Sequence, residues 1–274
     1  MLPGNKKKMN SDIVPERLSN PINYKIIALI IGAIITFQAI LYFASESQHE
    51  KIDLALSVAA LVNPLAVSIA SLVVWRRYQN TKIFGRAYFS LGIGYAMVFA
   101  AEIVYVTYDL IFQIDPYPSI ADVFFFALYP FTILHLVLNI KFFNPSTFRT
   151  DRKFLIGIPI GIILIHIIMS TIMMQDDPSE NYESFDFQYG LLFTIMSGIT
   201  LAFTVSAARI FRQGTLGSIW LLLVIGILLN TIGDIWYYNL EIFGQYSLTH
   251  PVNVFWNVSY WLIVYALIKH KKTI

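Results

Sequence analysis

The chain has 274 residues, of which 57% are hydrophobic and only 13% charged, with a net charge of +2 and no cysteine. A water-soluble domain carries about 25% charged and about 45–50% apolar residues, so this composition excludes one. The absence of cysteine excludes disulfides, thiolate metal sites and cysteine nucleophiles.

The chain opens with a basic, polar tail, "MLPGNKKKMNSDIVPERLSN", within residues 1–23. A full-length apolar block follows it instead of a short signal-peptide core, so the first span is retained. Lys6, Lys7 and Lys8 read as a topology signal. Apolar blocks of about 20 residues suffice to cross a hydrocarbon core. They predict eight transmembrane helices, at 24–45, 52–75, 85–109, 119–143, 154–174, 189–210, 217–241 and 252–269. Every lysine and arginine except Lys51 falls in the tail, in an even-numbered connection or at the C-terminus. By the positive-inside rule that side is cytoplasmic, which predicts a multi-pass cell-membrane protein with both termini inside. The acids Glu46, Glu50, Asp53, Asp115, Asp176, Asp177, Glu180, Glu183 and Asp186 fall in outer connections.

The third span ends in "EIVYVTYD" and the seventh in "DIWYYNLE". Glu102, Tyr105 and Asp109 match Asp234, Tyr237 and Glu241, an acid–tyrosine–acid pattern that places each trio on one helical face. The next spans match too: Asp122, Phe124, Phe125 and Tyr129 correspond to Asn253, Phe255, Trp256 and Tyr260. The sequence therefore predicts an all-α integral membrane fold of two four-helix repeats, 24–143 and 154–269. A cytoplasmic linker (144–153) joins them and a short cytoplasmic C-terminus (270–274) ends the chain. An even number of spans per half relates the repeats by a pseudo-two-fold axis along the membrane normal.

Between the third and fourth spans, Pro116 and Pro118 stop helix continuation and Ser119 is a candidate N-cap. Asp122 falls in the first turn, where the helix dipole favours an anion. Glu102 lies about two turns inside the outer boundary, roughly 10 Å deep. Acids at that depth face a bundle interior or a wet cavity, and they mark function more often than structure. The predicted ligand-binding set is Glu102, Tyr105, Asp122, Tyr129, Asp234, Trp236, Tyr237, Asn253, Trp256 and Tyr260, around an outward-facing polar-aromatic pocket. The bland alternatives are an aromatic belt at the interface and an acid pair that only locks the halves together.

No lysine lies at mid-membrane depth, which excludes a retinal Schiff base. His49, His135, His166, His250 and His270 include no pair at i, i+3 or i, i+4, which excludes an HExxH-type site. There is no GxSxG, P-loop or dinucleotide fingerprint. "NVS" at 257–259 is a nominal sequon inside the eighth span. Asn63-Pro64, Pro130 and Pro159 predict kinks that membrane helices tolerate. No catalytic residue, metal ligand, cofactor or nucleic-acid partner is assigned. The partners expected are the lipid bilayer and a small extracellular or membrane-derived ligand, neutral or cationic. A proton- or cation-coupled transporter is the alternative. An intramembrane hydrolase drawing on His135 or His166 is a third and weaker reading.

The stretch from Pro118 to Pro130, P-S-x-A-D-x-F-x-x-x-Y-P, with its degenerate echo in "GDIWYY" and "FWNVSYW", resembles a prokaryotic polytopic membrane domain of sensory type. Such domains precede diguanylate cyclase, PAS or histidine kinase modules. The resemblance implies a sensory or ligand-binding role. Because this chain ends in "IKHKKTI", it also implies a separate signalling partner.

Overall fold

The computed structural model describes residues 22–43, 49–114, 116–176, 184–211, 217–242, 246–247 and 249–273. The tail with Lys6–Lys8 and Arg17, and also Glu46, Asp115, Asp177, Glu180, Glu183 and Arg212, lie outside them. Among the described residues the elements are helices only: α1 (Tyr24–Tyr42), α2 (His49–Tyr78), α3 (Phe84–Val106), α4 (Ile120–Phe143), α5 (Thr147–Thr150), α6 (Arg152–Asp176), α7 (Ser184–Phe211), α8 (Gly217–Ile242) and α9 (Asn253–Thr273). A π-helical turn, Thr107–Phe112, extends α3 and ends at Gln113 in the left-handed region, with φ 53°.

Seven helices, all but α5 and α9, are long and apolar enough to cross a membrane. Eight had been expected. The last, α9, is 21 residues long but is not apolar enough by composition. Asn253, Asn257, Ser259, Lys269, His270, Lys271 and Lys272 dilute its apolar run.

Packing explains why a polar helix is tolerated. α2 packs on α3, α3 on α4, α4 on α7, α7 on α8, α8 on α9, and α9 back on α2, closing a ring of six. α1 lies outside the ring against α9, and α6 lies outside it against α7 and α8. Only 11% of the α6 span and 17% of the α1 span is buried, against 56% for α8. The outer two therefore offer apolar faces to lipid, while α9 turns its amides inward.

Hydrocarbon tails are as apolar as leucine, so close packing and hydrogen bonds hold helices together in a bilayer. Both occur here. A Cβ on Gly92 would stand 2.8 Å from Leu72 Cδ2, so glycine is what lets α2 and α3 approach. Beside it, the Ser68 hydroxyl donates to the Gly92 carbonyl at 2.9 Å, and Ser90 donates to the Phe131 carbonyl at 2.6 Å.

The helices alternate in direction, and one end of the ring is closed by aromatic rings. Trp220, 4% exposed, stacks on Phe211 at 5.0 Å and meets Phe143, Tyr88 and His270 edge-on or tilted within 5.9 Å. The Tyr78 hydroxyl adds a 3.3 Å hydrogen bond to His270 Nε2. Each aromatic pair contributes about 0.5–1.5 kcal/mol beyond its burial. Around this plug lie Arg76, Arg77, Lys82, Lys141 and Arg209, and Arg209 pairs with Asp151 at 3.0 Å.

Candidate functional site: an acidic aromatic cavity

At the opposite end, the ring encloses a cavity of about 190 Å³ lined from α2, α3, α4, α7, α8 and α9. Local sequence positions its rim. Ser119 caps α4: its hydroxyl accepts from Ala121 N at 3.1 Å, and Asp122 accepts from Ser119 N at 2.7 Å. This capping box satisfies two helix-start donors and holds Asp122 at the wall. At the start of α9, Asn253 ties down the preceding turn. Its Nδ2 donates to the His250 carbonyl at 3.1 Å, and its Oδ1 accepts from Tyr246 at 3.3 Å.

Nine of the ten expected residues line this cavity: Glu102, Tyr105, Asp122, Tyr129, Asp234, Tyr237, Asn253, Trp256 and Tyr260. Trp236 does not. It is 39% exposed and packs edge-on against His250 and Phe255. Asp109, read from sequence as a boundary residue, lines the mouth, as does Tyr117. Asp109 lies within the π-helical turn. An extra residue per turn shifts the helix phase, and such turns recur at functional sites.

Sequence reasoning missed several polar residues. Asn63, beside Pro64, donates to Asn257 Oδ1 at 2.6 Å and accepts from Trp261 Nε1 at 3.1 Å, joining α2 to α9 at the wall. The proline and the sequon drew attention away from these two amides. Asn230 was findable, since it stands four residues before Asp234 on the same helical face. Tyr189 and Tyr238 have no sequence signal beyond being aromatic.

Four carboxylates line the cavity, Glu102, Asp109, Asp122 and Asp234, and no lysine, arginine or histidine does so among the described residues. Their settings differ sharply. Asp234 receives Trp256 Nε1 at 2.8 Å on one oxygen, and the Tyr129 hydroxyl and Asn230 Nδ2, each at 3.1 Å, on the other. Ser197 in turn donates to the Tyr129 hydroxyl at 3.0 Å. One carboxylate thus gathers α4, α7, α8 and α9. Gly233 makes room for this, because a Cβ there would stand 2.8 Å from Trp256 Nε1. Glu102 is half-buried at the wall with no hydrogen bond or ion pair among the described residues.

The histidines lie elsewhere. His135 Nδ1 bonds the Ala87 carbonyl at 2.9 Å near Trp220, and His166 faces Thr194 at 3.5 Å. Among the described residues no three His, Asp or Glu side chains converge as a metal site. Chemically, the cavity offers carboxylates and aromatic faces in one partly enclosed space. That combination favours a cation.

No family model, no curated protein and no solved structure matches the chain. Its seven long apolar helices are those of a helical, multi-pass membrane-type protein.

Proposed function

We propose that this protein is a non-enzymatic, sensor-type membrane protein that binds a small organic cation in the acidic aromatic cavity. The observation that carries the reading is Glu102: a carboxylate at the cavity wall that no donor among the described residues satisfies. A buried charge without a partner is costly, and a cationic ligand removes the cost. Tyr105, Tyr237, Trp256 and Tyr260 line the same space. Aromatic faces add about 0.5–2 kcal/mol each to a desolvated ammonium.

In this reading α9 is the eighth span, the basic end is cytoplasmic and the cavity opens outward. The ring contacts support two halves, since the contacts of α2, α3 and α4 have counterparts among α7, α8 and α9. The outer helices α1 and α6 do not follow the exchange.

A cation-coupled carrier is the second reading. It is favoured by the Tyr129–Asp234 bond, which joins the two halves at the cavity floor. The aromatic plug at the basic end argues for binding without passage.

The test is a thermal-shift titration of the purified protein with tetramethylammonium, against neutral tert-butanol of similar shape. Tetramethylammonium should stabilise the wild type and lose at least tenfold in affinity in Glu102→Gln. Equal responses to both probes would sink the reading. Flux into proteoliposomes through wild type but not Glu102→Gln would favour the carrier.

A further inference from the structure

Beneath the cavity floor, α3, α4, α7 and α8 enclose a second, much smaller space of about 10 Å³. Thr132, Thr200, Asn230, Thr231 and Asp234 line it, and Tyr95, Leu128 and Ile227 complete the walls. Its volume suits a single water-sized occupant.

The polar atoms around it are unbalanced. The Thr200 hydroxyl donates to the Met196 carbonyl at 2.8 Å, and the Thr231 hydroxyl donates to the Ile227 carbonyl at 2.9 Å. Both have spent their protons on their own helices and keep only lone pairs. The Tyr129 hydroxyl has given its proton to Asp234, and Asn230 has given one of its two amide hydrogens. Asn230 Oδ1 and Thr132 Oγ1 have no partner among the described residues, although these residues are only 5% and 3% exposed. Buried polar atoms without a partner are rare and indicate an occupant. What remains is a chamber in which oxygen acceptors outnumber the unspent donors, the Thr132 hydroxyl and one Asn230 amide hydrogen, and which is bordered by one carboxylate.

We propose that this chamber binds a sodium ion. Oxygen lone pairs from threonine, asparagine and aspartate are hard ligands for a hard cation, and one carboxylate balances one positive charge. A calcium ion takes six to eight oxygens, commonly from several carboxylates, and magnesium demands near-octahedral ligands, so neither suits a site with one acid. The ion would neutralise Asp234 from below while Trp256 and Tyr129 hold it from the cavity side. The site is distinct from the organic-cation site at Glu102.

The test uses the full chain in detergent, with Glu102→Gln to silence cation binding in the large cavity. Thermal unfolding is followed in sodium, potassium and N-methylglucamine chlorides at equal ionic strength. Sodium should raise Tm by about 3 °C in a saturable way, both in wild type and in Glu102→Gln. Thr132→Val and Thr200→Val, which remove lone pairs at nearly constant volume, should each abolish the sodium response. The same Tm in all three salts would overturn the proposal and leave a water as occupant. A sodium response that survives both valine variants would overturn it as well. A sodium response that persists while tetramethylammonium fails to bind supports the chamber and sinks only the organic-cation reading. Tetramethylammonium binding without any sodium response sinks only the chamber.

Discussion

Glu102 and Asp234 match in the acid–tyrosine–acid pattern of the sequence, yet their surroundings are opposite. Asp234 is held by a tryptophan, a tyrosine and an asparagine. In the first half, the residues matching Trp256 and Asn230 at the same spacing are Phe125 and Val98, neither of which has a side-chain donor. The difference teaches that one sequence pattern can yield two roles. Asp234 is an anchor tied to three neighbouring side chains, and Glu102 has no such ties among the described residues.

The comparison breaks hardest at the anchor. Asp234→Ala leaves the Trp256, Tyr129 and Asn230 donors unpaired on three packed helices. Each buried orphan costs about 1–3 kcal/mol. A loss of about 3 kcal/mol in thermal unfolding is expected, and a loss under about 1 kcal/mol would remove Asp234 from its structural role. Gly233→Ala comes next. Its Cβ displaces the Trp256 indole, with an overpacking cost of about 1–3 kcal/mol and a change in tryptophan emission. Asn63→Ala opens the α2–α9 seam by removing bonds to Asn257 and Trp261, for about 1–2 kcal/mol.

These effects also mark what was legible in the sequence. Hydropathy located the apolar helices, because a bilayer leaves only helices or closed barrels to satisfy the backbone. The acid–tyrosine pattern pointed to the cavity, because helical periodicity fixes which residues share a face. The same periodicity argues against Trp236: it stands about 200° around the helix from Asp234, whereas Tyr237 is only about 60° away. The π-helical turn carrying Asp109 was not legible, since tertiary packing sets it and no residue type does. Nor was the partnership of Asn63 with Asn257, because it spans most of the chain.

A graft sharpens the comparison with the smallest stability change. Val98→Asn with Phe125→Trp supplies Glu102 with counterparts of two of the three donors that Asp234 has. The account predicts stability within about 1 kcal/mol of wild type and an affinity for tetramethylammonium at least tenfold weaker, read by calorimetry. Unchanged affinity would mean that the absence of donors at Glu102 is irrelevant.

The most direct test of the central claim is calorimetric binding of tetramethylammonium to wild type and Glu102→Gln, with thermal unfolding of each run in parallel. The account predicts nearly equal stability, within about 1 kcal/mol, because Glu102 has no bond among the described residues to lose. It also predicts at least tenfold weaker binding in the variant. Equal binding with lowered stability would contradict it and make Glu102 a structural acid.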